Sequence, residues 1–122
     1  MKNLEDAFNA VKKNNGFTYS LNRYAYKKGY ACAINKELEI YYDFEDKVNF
    51  DANLKAFIFA NIDILADTNL GFGLGCWLNS ANNKVYFDII EIFEDRKEAI
   101  NKGIERNQIA IFDLNNLQII KV

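Results

Sequence analysis

The chain contains no histidine, so acid–base or nucleophilic chemistry falls to carboxylates, lysines, tyrosines and two cysteines. No Ser-His-Asp or Cys-His pair can form, nor any zinc or haem site that uses histidine. Cys76 lies between glycines and Trp77 with no base in sight of it. Asp88 and Glu91, three apart in KVYFDIIEIF, point to opposite faces of a strand. The clusters Asp43-Glu45-Asp46 and Glu91-Glu94-Asp95 read as loop and cap chemistry, and no spacing argues for a carboxylate magnesium site. Many aromatics and amides, with few charges to bury, suit holding a polar ligand better than reacting with it. A binding protein without cofactor is expected, not an enzyme.

Two segments could touch such a ligand. NRYAYKKG sets Arg23, Lys27 and Lys28 among Tyr24, Tyr26 and Tyr30. It reads either as a solvated loop or as a lip that stacks a base and holds a phosphate. In GFGLGCWL, Gly71, Gly73 and Gly75 alternate, so in an extended strand all three face one side, and a packed helix or a ligand must come close to the backbone. This is not a phosphate loop, because the GxxxxGK(S/T) spacing is missing and no helix follows.

These residues sit in 122 positions that are 50% hydrophobic, 26% charged and 15% aromatic, with a net charge of -2. A chain of this size forms one domain and buries about two-thirds of its surface, enough for a core without disulfide or metal. Disorder is excluded by the aromatic and aliphatic content, and a pI near 5.2 argues against DNA or RNA as partner. Cys32 and Cys76 are expected as reduced buried thiols, with one disulfide as the alternative. MKNLEDAFNAVKK lacks the apolar core of a signal peptide, and AFIFANIDILA is too short and polar to span a bilayer. A cytosolic protein without membrane contact follows.

The elements that position these residues are an α+β set, a mainly antiparallel sheet packed with about three helices in a single domain, 1–122. The spacing of Leu4, Ala7, Phe8 and Val11 predicts a helix over 4–14, capped by Asn3 and stopped by Gly16. FTYSL, GYACAI and LEIYYD read as strands, the last two joined as a hairpin through Asn35-Lys36-Glu37. Asp51 can cap a helix over 52–66 whose broad face carries Leu54, Phe57, Ile58, Ile62, Ile64 and Leu65. Asn61 interrupts that stripe as a bonded amide, and Phe59 lies beyond it as plain surface or a subunit contact. GFGLGCWL and KVYFDIIEIF form a hairpin around 79–83. Asp95 and Glu98 mark a capping box, Glu98 and Lys102 an i,i+4 pair, and Asn107 a left-handed stop. QIAIFDL and LQIIKV close the chain as two strands around Asn115-Asn116.

The run GCWLNSANNKVYFDIIEIFEDRKEAINKGIERNQIAIFDLNN resembles the C-terminal half of small phage proteins of the Thoeris anti-defence type. In these a GxW strand leads to a KVYxD strand, a D-R-x-E-A-I helix and RNQIAIFDL. GFTYSLN, GYACAI and FIFANIDILAD resemble their upstream elements, so the likeness covers residues 16–116. It implies a sponge. A bacterial TIR enzyme makes a cyclic ADP-ribose isomer from NAD as an alarm, and the phage protein binds that messenger without degrading it, in the cytoplasm of the infected host. It further implies a homo-oligomer, a dimer or higher, with pockets between subunits, and for some members cyclic oligonucleotides at a separate site.

A glycocyclic ADP-ribose offers adenine, two riboses and a pyrophosphate, calling for an aromatic platform, a cation and amides. On this chain Arg106 is the candidate for the phosphate, Asn107 and Gln108 for polar recognition, Phe72 and Trp77 for stacking, and Asn82 and Arg23 for contacts from flanking loops. Each has a structural alternative, Asn107 as a cap and Trp77 as core. Outcompeting an effector requires tight binding, about −12 kcal/mol for about 1 nM, and a pocket closed by two subunits supplies the enclosure. The alternatives are a protein–protein inhibitor using Phe59 and the tyrosine-rich loop, and a small carboxylate enzyme that degrades a nucleotide signal.

Overall fold

The computed structural model describes residues 3–21 and 28–122. A 3-10 turn, Leu4–Asp6, leads into α1 (Ala7–Asn14). The strands β1 (Gly16–Tyr19), β2 (Tyr30–Ala33) and β3 (Ile40–Asp43) follow, then α2 (Lys47–Ala60) and the short α3 (Ile62–Leu65). Next come β4 (Gly73–Asn79), β5 (Lys84–Phe93), α4 (Arg96–Glu105), β6 (Ala110–Asp113) and β7 (Gln118–Lys121). The result is the expected α+β fold, a curled antiparallel sheet with helices. None of these helices is long and apolar enough to cross a membrane.

The ten-residue β5 organises the sheet, whose order is β1-β4-β5-β2-β6-β7. One flank of β5 carries β4, joined to it by the expected hairpin, with Trp77 opposite Tyr86 and Gly75 opposite Asp88. The other flank carries two short strands in succession, β2 against Ile90–Phe93 and β3 against Lys84–Phe87. The β2–β3 hairpin expected from the sequence is therefore not formed. Asn35 accepts from the Glu37 N–H at 2.9 Å, but the turn it caps is a single 3-10 turn, Lys36–Leu38, which sidesteps the chain without reversing it. Both strands gain a ladder along β5, and the remaining edge of β2 pairs with β6.

Alternation along β5 sorts the whole molecule into two faces. Val85, Phe87 and Ile89 join Leu74 and Cys76 beneath α1, α2 and α3, whose Ala7, Val11, Phe50, Leu54, Phe57 and Leu65 complete the main core. Phe93 on the same side joins Cys32, Ala99 and Ile111 beneath α4 in a second, smaller core. All four helices thus cover one face, and no described helix covers the other. Both cysteines are free and buried.

Helix ends differ from expectation in two places. Asn15, at φ 64, supplies the left-handed stop of α1, its N–H reaching the Val11 carbonyl at 2.9 Å. Gly16 instead opens β1, where a Cβ would lie 2.3 Å from the Cys76 carbonyl oxygen. The second helix starts earlier than Asp51 suggests. Asp46 caps it by accepting from the Asn49 N–H at 2.9 Å, which brings Phe50 into the core, while Asp51 lies inside the helix paired with Lys47. Asn61 ends α2 as a bonded amide, its Nδ2 donating to the Phe57 carbonyl at 2.9 Å, and Phe59 is 81% exposed. Asp95 caps α4 as expected, but Lys102 pairs with Glu105 rather than Glu98.

Candidate functional site

On the helix-free face, cross-strand partners line up in rows. One row runs Gly16, Trp77, Tyr86, Tyr41 across β1, β4, β5 and β3. Trp77 lies flat on Tyr86, with centroids 4.4 Å apart and planes at 12°, and Tyr41 leans on the other side of Tyr86 at 5.4 Å. Directly opposed strand residues bring their rings to this spacing. Trp77 remains 39% exposed and Tyr41 57%. From the β4–β5 turn, Asn82 donates its amide to the Tyr86 hydroxyl at 3.1 Å. Lys84 stands 5.4 Å from the Tyr41 ring centre and bonds Asp43 at 2.8 Å, a hydrogen bond that raises the lysine's pKa.

The neighbouring row is polar. Thr18 faces Gly75, Gly75 faces Asp88, and Glu39, just before β3, lies against the Asp88 carboxyl. Burial pushes the Asp88 pKa up to about 8, and the negative charge of Glu39 and a hydrogen bond between the two carboxyls push the same way. Its Oδ1 is shielded from water without a donor among the described residues. Gly75 is indeed approached closely, by a neighbouring strand's side chain and not by a helix. A Cβ there would lie 3.0 Å from Ile90 Cγ2, so a side chain of the adjacent strand fills the glycine's place.

Arg106 belongs to the opposite face. Its Nη2 donates to Glu91 Oε1 at 2.6 Å, its guanidinium lies 5.8 Å from the Phe93 ring centre, and it neighbours Cys32. Arg106 Nη1 and Gln108 Nε2 are shielded and have no acceptor among the described residues. Between them Asn107, at φ 56, is exposed and ends α4: its N–H reaches the Ile104 carbonyl at 3.1 Å and the Gln108 N–H reaches the Gly103 carbonyl at 2.9 Å. Phe72 packs partly buried against the main core, away from the exposed rings. Arg23, with Tyr24, Tyr26 and Lys27 of the expected lip, lies outside the described residues.

The structure therefore brings Trp77 and Asn82 together, keeps Arg106 and Gln108 at another corner, and places Phe72, partly buried, against the main core. Tyr86 and Tyr41 were not singled out in the sequence. Tyr86 was missed by one position: folding the strands back about a 79–83 turn sets Val85 opposite Trp77, and the four-residue turn 80–83 that forms sets Tyr86 there. Tyr41 was out of reach, because its place depends on β3 pairing with β5.

Both thiols are poor nucleophiles at neutral pH. Burial pushes Cys76 well up, helped by the charge of Asp88, and burial raises Cys32 against the opposing pull of Arg106. An open depression of about 280 Å³ beside α2 is lined by Tyr42, Asp43, Glu45, Asn49 and Asn53. Its acidic lining disfavours an anion. Comparison of the chain with protein families, curated proteins and solved structures finds no match.

Proposed function

We propose that the protein binds a cyclic ADP-ribose-type signal made by a bacterial TIR enzyme and holds it chemically unchanged, so that a phage escapes Thoeris immunity in the host cytoplasm. The resemblance over residues 16–116 motivates the reading, and the exposed Trp77 stacked on Tyr86 with the Asn82 amide beside it is the observation that carries it. Such a wall offers an adenine a flat partner and a nearby amide, with no activated nucleophile.

The phosphate donors are drawn from Arg106 and Gln108. Arg106 Nη1 and Gln108 Nε2 lack an acceptor but are shielded, so both side chains must turn outward to meet a phosphate, and with Glu91 already neutralising Arg106 they would contribute directed hydrogen bonds more than net charge. Trp77 and Arg106 occupy opposite faces of one sheet, and a ligand that touches both must lie between two copies of the chain. This agrees with the homo-oligomer that the resemblance implies, a dimer or higher.

One observation favours a second reading. A proton-bearing Asp88 beside Glu39 has the make-up of an acid–base pair, as a carboxylate enzyme acting on a nucleotide signal requires. Both readings are tested by incubating the protein with TIR-made messenger, filtering, denaturing the retained protein and assaying both fractions. Intact messenger released only by denaturation is expected. Destroyed messenger establishes the enzyme, and messenger left intact in the filtrate ends both readings.

A further inference from the structure

The aromatic row on the helix-free face ends without a side chain. Tyr41 leans on Tyr86 and Tyr86 lies under Trp77, but the next position in register, on the edge strand β1, is Gly16. Neighbouring strands are about 4.8 Å apart, close to the 4.4 Å between the Trp77 and Tyr86 rings. The space above Gly16 is therefore one ring thick, walled on one side by indole. Trp77 has no second aromatic neighbour among the described residues, while Trp77 and Gly16 both remain accessible to water. A Cβ at Gly16 would run into the β4 backbone, 2.3 Å from the Cys76 carbonyl oxygen, so this position is closed to any other residue.

We propose that this slot takes a planar heterocyclic base, a purine in preference, which continues the row as its fourth ring. Stacking of a base on an aromatic side chain uses the π-face alone and grows with ring area, which favours purines. Charge sets the rest of the preference. Lys84 is neutralised by Asp43, and the next row along the face holds Asp88 and Glu39, so no unpaired cation among the described residues stands in these rows to attract phosphate. The slot therefore recognises the base of a nucleoside and is indifferent to its phosphates, whose donors lie elsewhere. The inference rests on the reading of this face as the ligand face, and narrows it to one position and one chemical group.

Trp77 is the only tryptophan of the chain, so its fluorescence reports on the slot directly. Titration of the full-length protein with adenosine should quench it saturably, adenosine monophosphate should match adenosine within about threefold, and ribose 5-phosphate should do nothing. Tyr86→Leu keeps the reporter but unbacks it, and should weaken adenosine about tenfold. Trp77→Leu, followed by calorimetry with a thermal melt to verify folding, should abolish the binding heat. The absence of saturable quenching by adenosine overturns the slot, as does equal quenching by ribose 5-phosphate. Messenger retained undiminished by folded Trp77→Leu removes the slot but leaves sequestration standing. Adenosine quenching with messenger left in the filtrate sustains the slot and ends sequestration.

Discussion

Glu39 lies against Asp88, and burial of Asp88 together with the negative charge of Glu39 beside it keeps a proton on this pair of carboxyls at neutral pH. Asp88 is the natural holder of that proton, being 8% exposed whereas Glu39 is at the surface. The pair makes folding stability depend on pH in a direction opposite to that of an ordinary ion-paired carboxylate.

In the unfolded chain the Asp88 carboxyl loses its proton near pH 4, and in the folded protein near pH 8. Between these values the folded state binds a proton that the unfolded state lacks, so this group's contribution to stability falls as pH rises from about 4 to about 8 and is level outside that window. Asp88→Asn, which keeps a donor for Glu39, should flatten the slope and leave the variant more stable than the parent at pH 9. Urea unfolding at pH 5, 7 and 9 measures it. A parent more stable at pH 9 than at pH 5, with Asp88→Asn lowering stability at every pH, contradicts the assignment.

Arg106 is held by Glu91 and covers Phe93. Arg106→Ala should cost about 1–3 kcal/mol, because it leaves a largely buried carboxylate unpaired and opens the second core. A double-mutant cycle with Glu91→Ala should return a coupling of about 1 kcal/mol or more. That structural role requires every ligand assay on Arg106 variants to be read beside a melt. The variant Arg106→Lys, which cannot reproduce the forked geometry, should lose messenger retention with a smaller loss of stability.

Gly16→Ala should be among the most damaging single changes in the chain, costing about 3 kcal/mol. The obstacle is backbone, the Cys76 carbonyl, which cannot swing aside as a side chain could. Thermal unfolding of Gly16→Ala against Gly71→Ala makes the comparison internal. A Cβ at Gly71 meets nothing within 4 Å, so only the strain of its φ of +66° remains, about 1 kcal/mol.

Capping residues should separate in the same way. Asp46→Ala removes the acceptor of the Asn49 N–H and should cost about 1 kcal/mol. Asp51→Ala removes only an exposed i,i+4 pair with Lys47 and should cost no more than about 0.5 kcal/mol. Asn15→Gly should be neutral or stabilising, since Asn15 is the left-handed residue, while Asn15→Ala should be destabilising.

What the sequence determined by itself is local. Asn3, Asp95 and Asn107 act at the helix ends where their neighbours place them, and the β4–β5 hairpin turns where the short segment Ser80-Ala81-Asn82-Asn83 separates two apolar strands. Alternation likewise placed Asp88 and Glu91 on opposite faces. Each of these depends on a few consecutive residues and on backbone geometry that repeats every two or every 3.6 positions. The tertiary structure alone decided the rest: β2 and β3 sharing one flank of β5, Asp46 serving in place of Asp51, Ile90 filling the space over Gly75, and Trp77 parted from Arg106 by the thickness of a sheet. Periodicity states which side of a strand a residue occupies but not which distant strand lies next to it. That pairing is settled by the apolar surface that all the elements bury together, and it makes Gly16, Trp77, Tyr86 and Tyr41 one row.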